Sequence, residues 1–153
     1  MSDILSLKET APVIEEILLS GGKVKILASG RSMEPVIRDG QDTVVLKKAE
    51  ASLKKDDIVL FKRDSGNLVL HRIIAIDGSK ITLRGDNQWT TETVDSSRVM
   101  GVLDSIERNG QSIKAGSEYF EKYKKTLTFI RWKNRLTNSI KIRLGAKTND
   151  KHS

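Results

Sequence analysis

Three residue types able to perform acyl transfer occur in order along the first two thirds of the chain. Ser32 stands in Gly30-Arg31-Ser32-Met33-Glu34-Pro35, at the end of a short apolar run. His71 stands in Leu70-His71-Arg72, and Asp86 in Arg84-Gly85-Asp86-Asn87, with Asp95 beyond it. Serine, histidine and aspartate are the parts of a nucleophile, its base and the group that orients the base. A serine hydroxyl is a poor nucleophile at neutral pH, so it needs a base in hydrogen-bond reach and donors for the developing oxyanion. Gly30 lets the backbone come close to a substrate carbonyl. Pro35 fixes φ and helps hold a turn, so amides around Ser32 could point the same way. Gly30, Ser32 and Met33 are therefore the candidate oxyanion and substrate-binding positions. His71 is the only histidine besides His152, and an unperturbed pKa of about 6.5 suits a base at neutral pH.

Each of these residues also has a plain structural reading. Ser32 fits a strand-to-turn connection, where small polar residues occur for conformational reasons. His71 shares a strand face with Val69, Ile73 and Ala75, as a core or rim histidine would. Gly85-Asp86-Asn87 resembles an ordinary turn in which the aspartate bonds its own backbone. Asp95 precedes Ser96-Ser97-Arg98 and could cap or pair locally. Glu92 lies between the two aspartates, and the sequence does not rank the three acids.

Composition narrows the chemistry. The chain of 153 residues has no cysteine, which excludes a disulfide scaffold, a cysteine nucleophile and thiolate metal sites. One histidine outside the polar tail does not make a zinc site, and no motif calls for a cofactor. No apolar run approaches the roughly 18 residues of a membrane span. Met1 to Glu9 lacks the basic start and apolar stretch of a secretory signal, so the expected location is the cytoplasm. The net charge of +7 is uneven: residues 111–153 hold 11 Lys/Arg against 3 Asp/Glu. The basicity belongs to the tail.

The elements that must position these residues follow from periodicity. The spacing of Ile4, Leu7, Ala11, Ile14, Leu18 and Leu19 predicts a helix over 4–19, with a start at Thr10 that would put Pro12 in the first turn. Alternation predicts strands at 23–29, 42–48, 58–62, 68–76, 80–84, 99–106 and 111–114, joined by Gly/Asp/Asn turns. The polar stretch 85–97 reads as a loop. Phe120, Tyr123, Leu127 and Ile130 follow helical spacing, which Trp132, Leu136, Ile140 and Leu144 continue on a shifted face. The fold class expected is mainly β, a coiled β-sheet or barrel. Residues 1–22 form an N-terminal helix and linker, 23–115 the β core, and 116–153 a basic amphipathic tail of one or two helices.

Taken together and in this order, Gly30 to Pro35, Asp39-Gly40, Asp57 to Phe61, Leu70 to Ile73, Arg84 to Asn87 and Val99 to Val102 resemble the type I signal peptidase superfamily. That superfamily also contains the self-cleaving SOS-type repressors. The resemblance covers roughly residues 24–106 and implies a coiled all-β domain with serine chemistry. Ser32 then matches the nucleophile. His71 matches the position that carries a lysine base in bacterial signal peptidases and a histidine in endoplasmic-reticulum-type and archaeal ones. Asp86 matches the acid of the Gly-Asp-Asn box, and Asp95 lies near the second acid of that region. The residue two before the nucleophile, often a serine that serves the oxyanion hole, is Gly30 here, so the hole is expected to rest on the Ser32 amide. No counterpart is expected here of the family's N-terminal membrane anchor, and none is clear for its membrane-dipping hairpin. The layout resembles short, soluble signal-peptidase-like proteins associated with bacterial peptide maturation.

The function these readings imply is a serine endopeptidase acting on a small peptide or protein precursor. A catalytically silent peptide-binding module and a self-cleaving regulator are the alternatives on the same fold. The expected partner is a peptide or protein substrate. The tail, with Phe129, Trp132 and its cations over residues 117–144, also suits contact with a membrane surface. No helix-turn-helix or aromatic RNA-binding pattern accompanies the charge, which argues against nucleic acid.

Overall fold

The computed structural model describes residues 7–50 and 52–149. The ends of both expected helices, residues 4–6 and 150–153 with His152, lie outside the described residues. Eight strands among them form one antiparallel sheet: β1 (Val24–Leu27), β2 (Thr43–Lys47), β3 (Ile58–Lys62), β4 (Leu68–Asp77), β5 (Lys80–Arg84), β6 (Glu92–Asp95), β7 (Val99–Arg108) and β8 (Gln111–Lys114). The strand order is β1-β2-β7-β3-β4-β5-β6, with β8 pairing to β7. The mainly β expectation holds. The β7–β8 hairpin turns on Asn109 and Gly110, both at positive φ (51° and 75°), the backbone that a two-residue hairpin of matching twist requires.

β3 reads Ile58-Val59-Leu60-Phe61 without alternation because both its faces are buried. Ile58 and Leu60 join one apolar cluster with Ile14, Leu18, Val36, Leu46, Phe120 and Leu127. Val59 and Phe61 join a second with Ile73, Ile81 and Leu83. Since side chains alternate along a strand, the first face of β4 carries Leu68, Leu70 and Arg72, and the second carries Val69, His71 and Ile73. That division decides what each neighbour of the His71-Arg72 pair can reach.

Helix α1 (Leu7–Leu19) buries Ala11, Ile14 and Leu18 on one stripe against the first face. It begins earlier than the Thr10 start, so Pro12 lies inside it, on the exposed side. Helix α2 (Glu118–Asn149) is a single helix of 32 residues that buries Phe120 and Leu127 on the same face of the sheet. No described helix is long and apolar enough to cross a membrane. The stretch 85–97, expected as a loop, contains β6 and a short 3-10 turn at Ser96–Arg98. β6 is an edge strand that pairs only with β5, and its polar Glu-Thr-Val-Asp sequence lacks the apolar alternation that marks inner strands.

Candidate active site

Ser32 lies in the connection between β1 and β2, and that connection is pinned from below. Met33, Val36 and Ile37 insert into the first core cluster. Asp42 is fully buried and accepts two hydrogen bonds from Arg108, from Nε to Oδ1 and from Nη2 to Oδ2, both at 2.7 Å. It also accepts the Arg38 amide at 2.7 Å. Burial alone would raise the Asp42 carboxyl, but the hydrogen bonds from Arg108 and the Arg38 amide outweigh it and hold the group below its ordinary value. The Tyr119 hydroxyl on α2 donates to the Val36 carbonyl at 2.7 Å and accepts from Arg108 at 3.0 Å. A buried, fully hydrogen-bonded pair of this kind fixes the loop's position rather than adding net stability.

Within the loop, the Gly30 N–H donates to Asp39 Oδ1 at 2.9 Å, so this amide is already engaged. The Ser32 N–H makes no hydrogen bond among the described residues. Met33 is buried and its side chain serves as a core anchor. A cavity of about 250 Å³ opens beside Ser32. Its walls include Ile26 and Ala28 from the end of β1, Gly30, and Leu60, Leu68 and Leu70 from β3 and β4. It is a largely apolar trough with two hydroxyl residues, Ser29 and Ser32, in its lining.

The Gly85-Asp86-Asn87 stretch holds Ser32 from the other side. The Asn87 N–H donates to the Ser32 carbonyl at 2.8 Å, and its side-chain amide donates to the Arg31 carbonyl at 3.2 Å. Gly85 explains itself here: a Cβ at that position would stand 2.7 Å from the Ser32 carbonyl oxygen. The β4–β5 ladder runs Ile73↔Leu83 and Arg72↔Arg84. One step further along this antiparallel register puts Gly85 across from His71. Ser32 and His71 are thus both neighbours of Gly85, although no hydrogen bond joins them among the described residues.

His71 is 4% exposed and packs its ring at 5.9 Å from that of Phe61. Its Nδ1 is buried without a hydrogen-bond partner, and Glu92 Oε1 lies 3.5 Å away. Burial pushes the imidazole below its ordinary value, which the Glu92 carboxylate partly opposes and the Arg63 guanidinium reinforces. At neutral pH the ring is therefore uncharged and can accept a proton. Glu92 is in turn held by Arg63, with Nε donating to Oε2 at 3.0 Å and Nη2 to Oε1 at 2.6 Å. That pairing keeps the Glu92 carboxyl below its usual range.

The structure therefore separates the three candidate acids. Asp86 is buried and accepts a bidentate pair from Arg72, from Nε at 2.8 Å and from Nη2 at 2.9 Å. It serves the opposite face of β4 from the one that carries His71. Asp95 caps the 3-10 turn, accepting the Ser97 N–H at 3.0 Å. The carboxylate that faces His71 is Glu92. Arg63, Asp42, Arg108 and Tyr119 had no sequence signal as site residues, because each is recognisable only through a partner distant in the chain. Among the described residues no group of three or more His, Asp or Glu is placed to hold a metal ion.

A family model described as Peptidase S24-like matches residues 2–104, from the N-terminal segment into β7. No curated protein matches the chain.

Proposed function

Given that the chain belongs to the peptidase S24-like family, we propose that it is a serine endopeptidase that cleaves a small peptide or protein precursor. Ser32 is the nucleophile and His71 the base. Glu92, rather than Asp86 or Asp95, is the acid that orients the imidazole. The observation that carries this reading is Gly85. Its missing side chain admits the Ser32 carbonyl, and its register position faces His71.

The chemistry proceeds as follows. A substrate segment lies extended along the free edge of β1, adding a strand to the sheet, with an apolar side chain in the trough beside Ser32. The Ser32 hydroxyl attacks the scissile carbonyl while its proton passes to His71. The Nδ1–H of the resulting imidazolium points to Glu92, whose charge stabilises it. The separation of 3.5 Å is longer than a hydrogen bond and tightens as the charge develops. The oxyanion accepts the free Ser32 N–H. His71 returns the proton to the leaving amine, and water, activated by the same histidine, hydrolyses the acyl-enzyme.

The test is a mixture of proteolytic peptides incubated with the purified protein, with new termini identified by mass spectrometry. Ser32→Ala and His71→Ala should each abolish the cuts made by the wild type while keeping its thermal melt. If both variants make the same cuts at the wild-type rate, the mechanism is wrong.

A further inference from the structure

Helix α2 carries two different faces. The inward face holds Phe120, Leu127, the buried Arg131 and Asn134. Asn134 donates to Asn87 Oδ1, and the Arg131 carbonyl accepts the Trp89 indole N–H at 3.0 Å. This side of the helix is committed to the fold. The outward face repeats every three to four residues and is also apolar. Phe129 is 61% exposed, Trp132 53% and Leu136 44%. The rings of Phe129 and Trp132 lie 6.0 Å apart. At 100° per residue, Lys122, Lys125 and Lys133 fall on the same side, and none of the three is in an ion pair among the described contacts.

A solvated helix face explains the lysines but not the exposed apolar residues interleaved with them. An acidic partner helix would explain the stripe only in part, because Trp at the rim of a lysine-bearing face matches the polarity gradient of a lipid interface. From Lys122 to Asn149 the chain has nine Lys/Arg and no Asp or Glu. Such a run is attracted to a negatively charged surface over its whole length. We infer that the outward face of α2 is an interfacial docking surface for an anionic lipid bilayer. The aromatic stripe is seated at the headgroup level and the lysines pair with lipid phosphates. Because the inward contacts are separate from this face, docking leaves the helix attached to the Asn87 loop. The inference does not depend on catalysis.

The experiment uses the full chain and two vesicle preparations, phosphatidylcholine alone and phosphatidylcholine with phosphatidylglycerol, in a sedimentation assay at low and high salt. The protein should sediment with the anionic vesicles only, and less so at high salt. Lys122→Gln, Lys125→Gln and Lys133→Gln combined should weaken partitioning on the order of 100-fold at low salt, from the contribution per cation at a charged surface. Phe129→Ala with Trp132→Ala should weaken it roughly tenfold or more. Circular dichroism melts should stay at the wild-type value, since all five positions are on the solvent side. Ser32→Ala should bind as the wild type does, which separates this result from that of the peptidase assay. Absence of vesicle binding overturns the proposal, as does equal binding to neutral vesicles. Binding to a DNA or RNA duplex without vesicle binding, or loss of a dimer in Trp132→Ala without vesicle binding, also overturns it.

Discussion

Replacing Gly85 by alanine should injure the candidate site more than the fold. The added Cβ would lie 2.7 Å from the Ser32 carbonyl oxygen and 2.8 Å from Gln88 Oε1. Gln88 can swing away, since the contact is with the end of its side chain. The Ser32 carbonyl cannot, because the Asn87 N–H holds it at 2.8 Å and the neighbouring Arg31 carbonyl is bound by the Asn87 side chain. Reaching ordinary contact at 3.4 Å requires the Ser32 backbone to retreat by about 0.7 Å, and a misplacement approaching 1 Å costs up to about 100-fold in rate. Overpacking of this kind typically costs about 1–3 kcal/mol, or a fall in Tm of about 2–12 °C for a chain of this size. Gly101→Ala is the control. Its Cβ would meet the Lys47 carbonyl oxygen and Leu18 Cδ1, each at 2.9 Å, at the seat of α1 and away from Ser32. Both variants should lose a similar amount of thermal stability, while only Gly85→Ala should lose kcat/KM, by about 10- to 100-fold, on a peptide cleaved by the wild type. Equal kcat/KM in Gly85→Ala and wild type would refute the view that Gly85 positions the nucleophile.

Glu92→Gln removes the charge that partly supports protonation of His71. The acid limb of the kcat/KM profile should move to lower pH and the rate at its plateau should fall about tenfold or more. A shift of that limb to higher pH would contradict the assignment. His71 should also mark stability. Its imidazole is held below its ordinary value of 6.5, so its contribution is present above that pH. It is lost as pH falls from there through the folded value, because the unfolded chain takes up the proton first. A denaturant midpoint measured from pH 8 to pH 5 should decline in this window, and His71→Phe should flatten the decline. Arg108→Met leaves Asp42 charged, buried and without its bidentate partner. It should cost about 3–5 kcal/mol by urea unfolding, and Asp42→Asn in the same background should recover part of that loss.

The strands were legible because alternation and turn residues agree along most of the chain, and β5 was read at its observed bounds. β6 was not, because an edge strand need not alternate apolar and polar residues, and without its strand the facing of Glu92 could not be known. The placement of Asp86 was not legible either, for a different reason. His71 and Arg72 are adjacent in a strand, so their side chains must leave on opposite faces. An acid seated against one of them is turned away from the other. Asp86 and Arg72 therefore form a structural pair on the face that holds α1 and α2, while His71 keeps the side shared with Phe61 and Glu92. The two residues therefore have separate surroundings. Arg72 fixes the Gly85–Asn87 turn that seats the Ser32 carbonyl, and His71 keeps its ring on the other face, against Phe61 and beside Glu92. The same logic applies to α2, whose periodicity was clear in sequence but whose two apolar stripes were indistinguishable there. Only the buried partners of Phe120 and Leu127 show which stripe belongs to the core, and that leaves Phe129, Trp132 and Leu136 exposed for a role outside the fold.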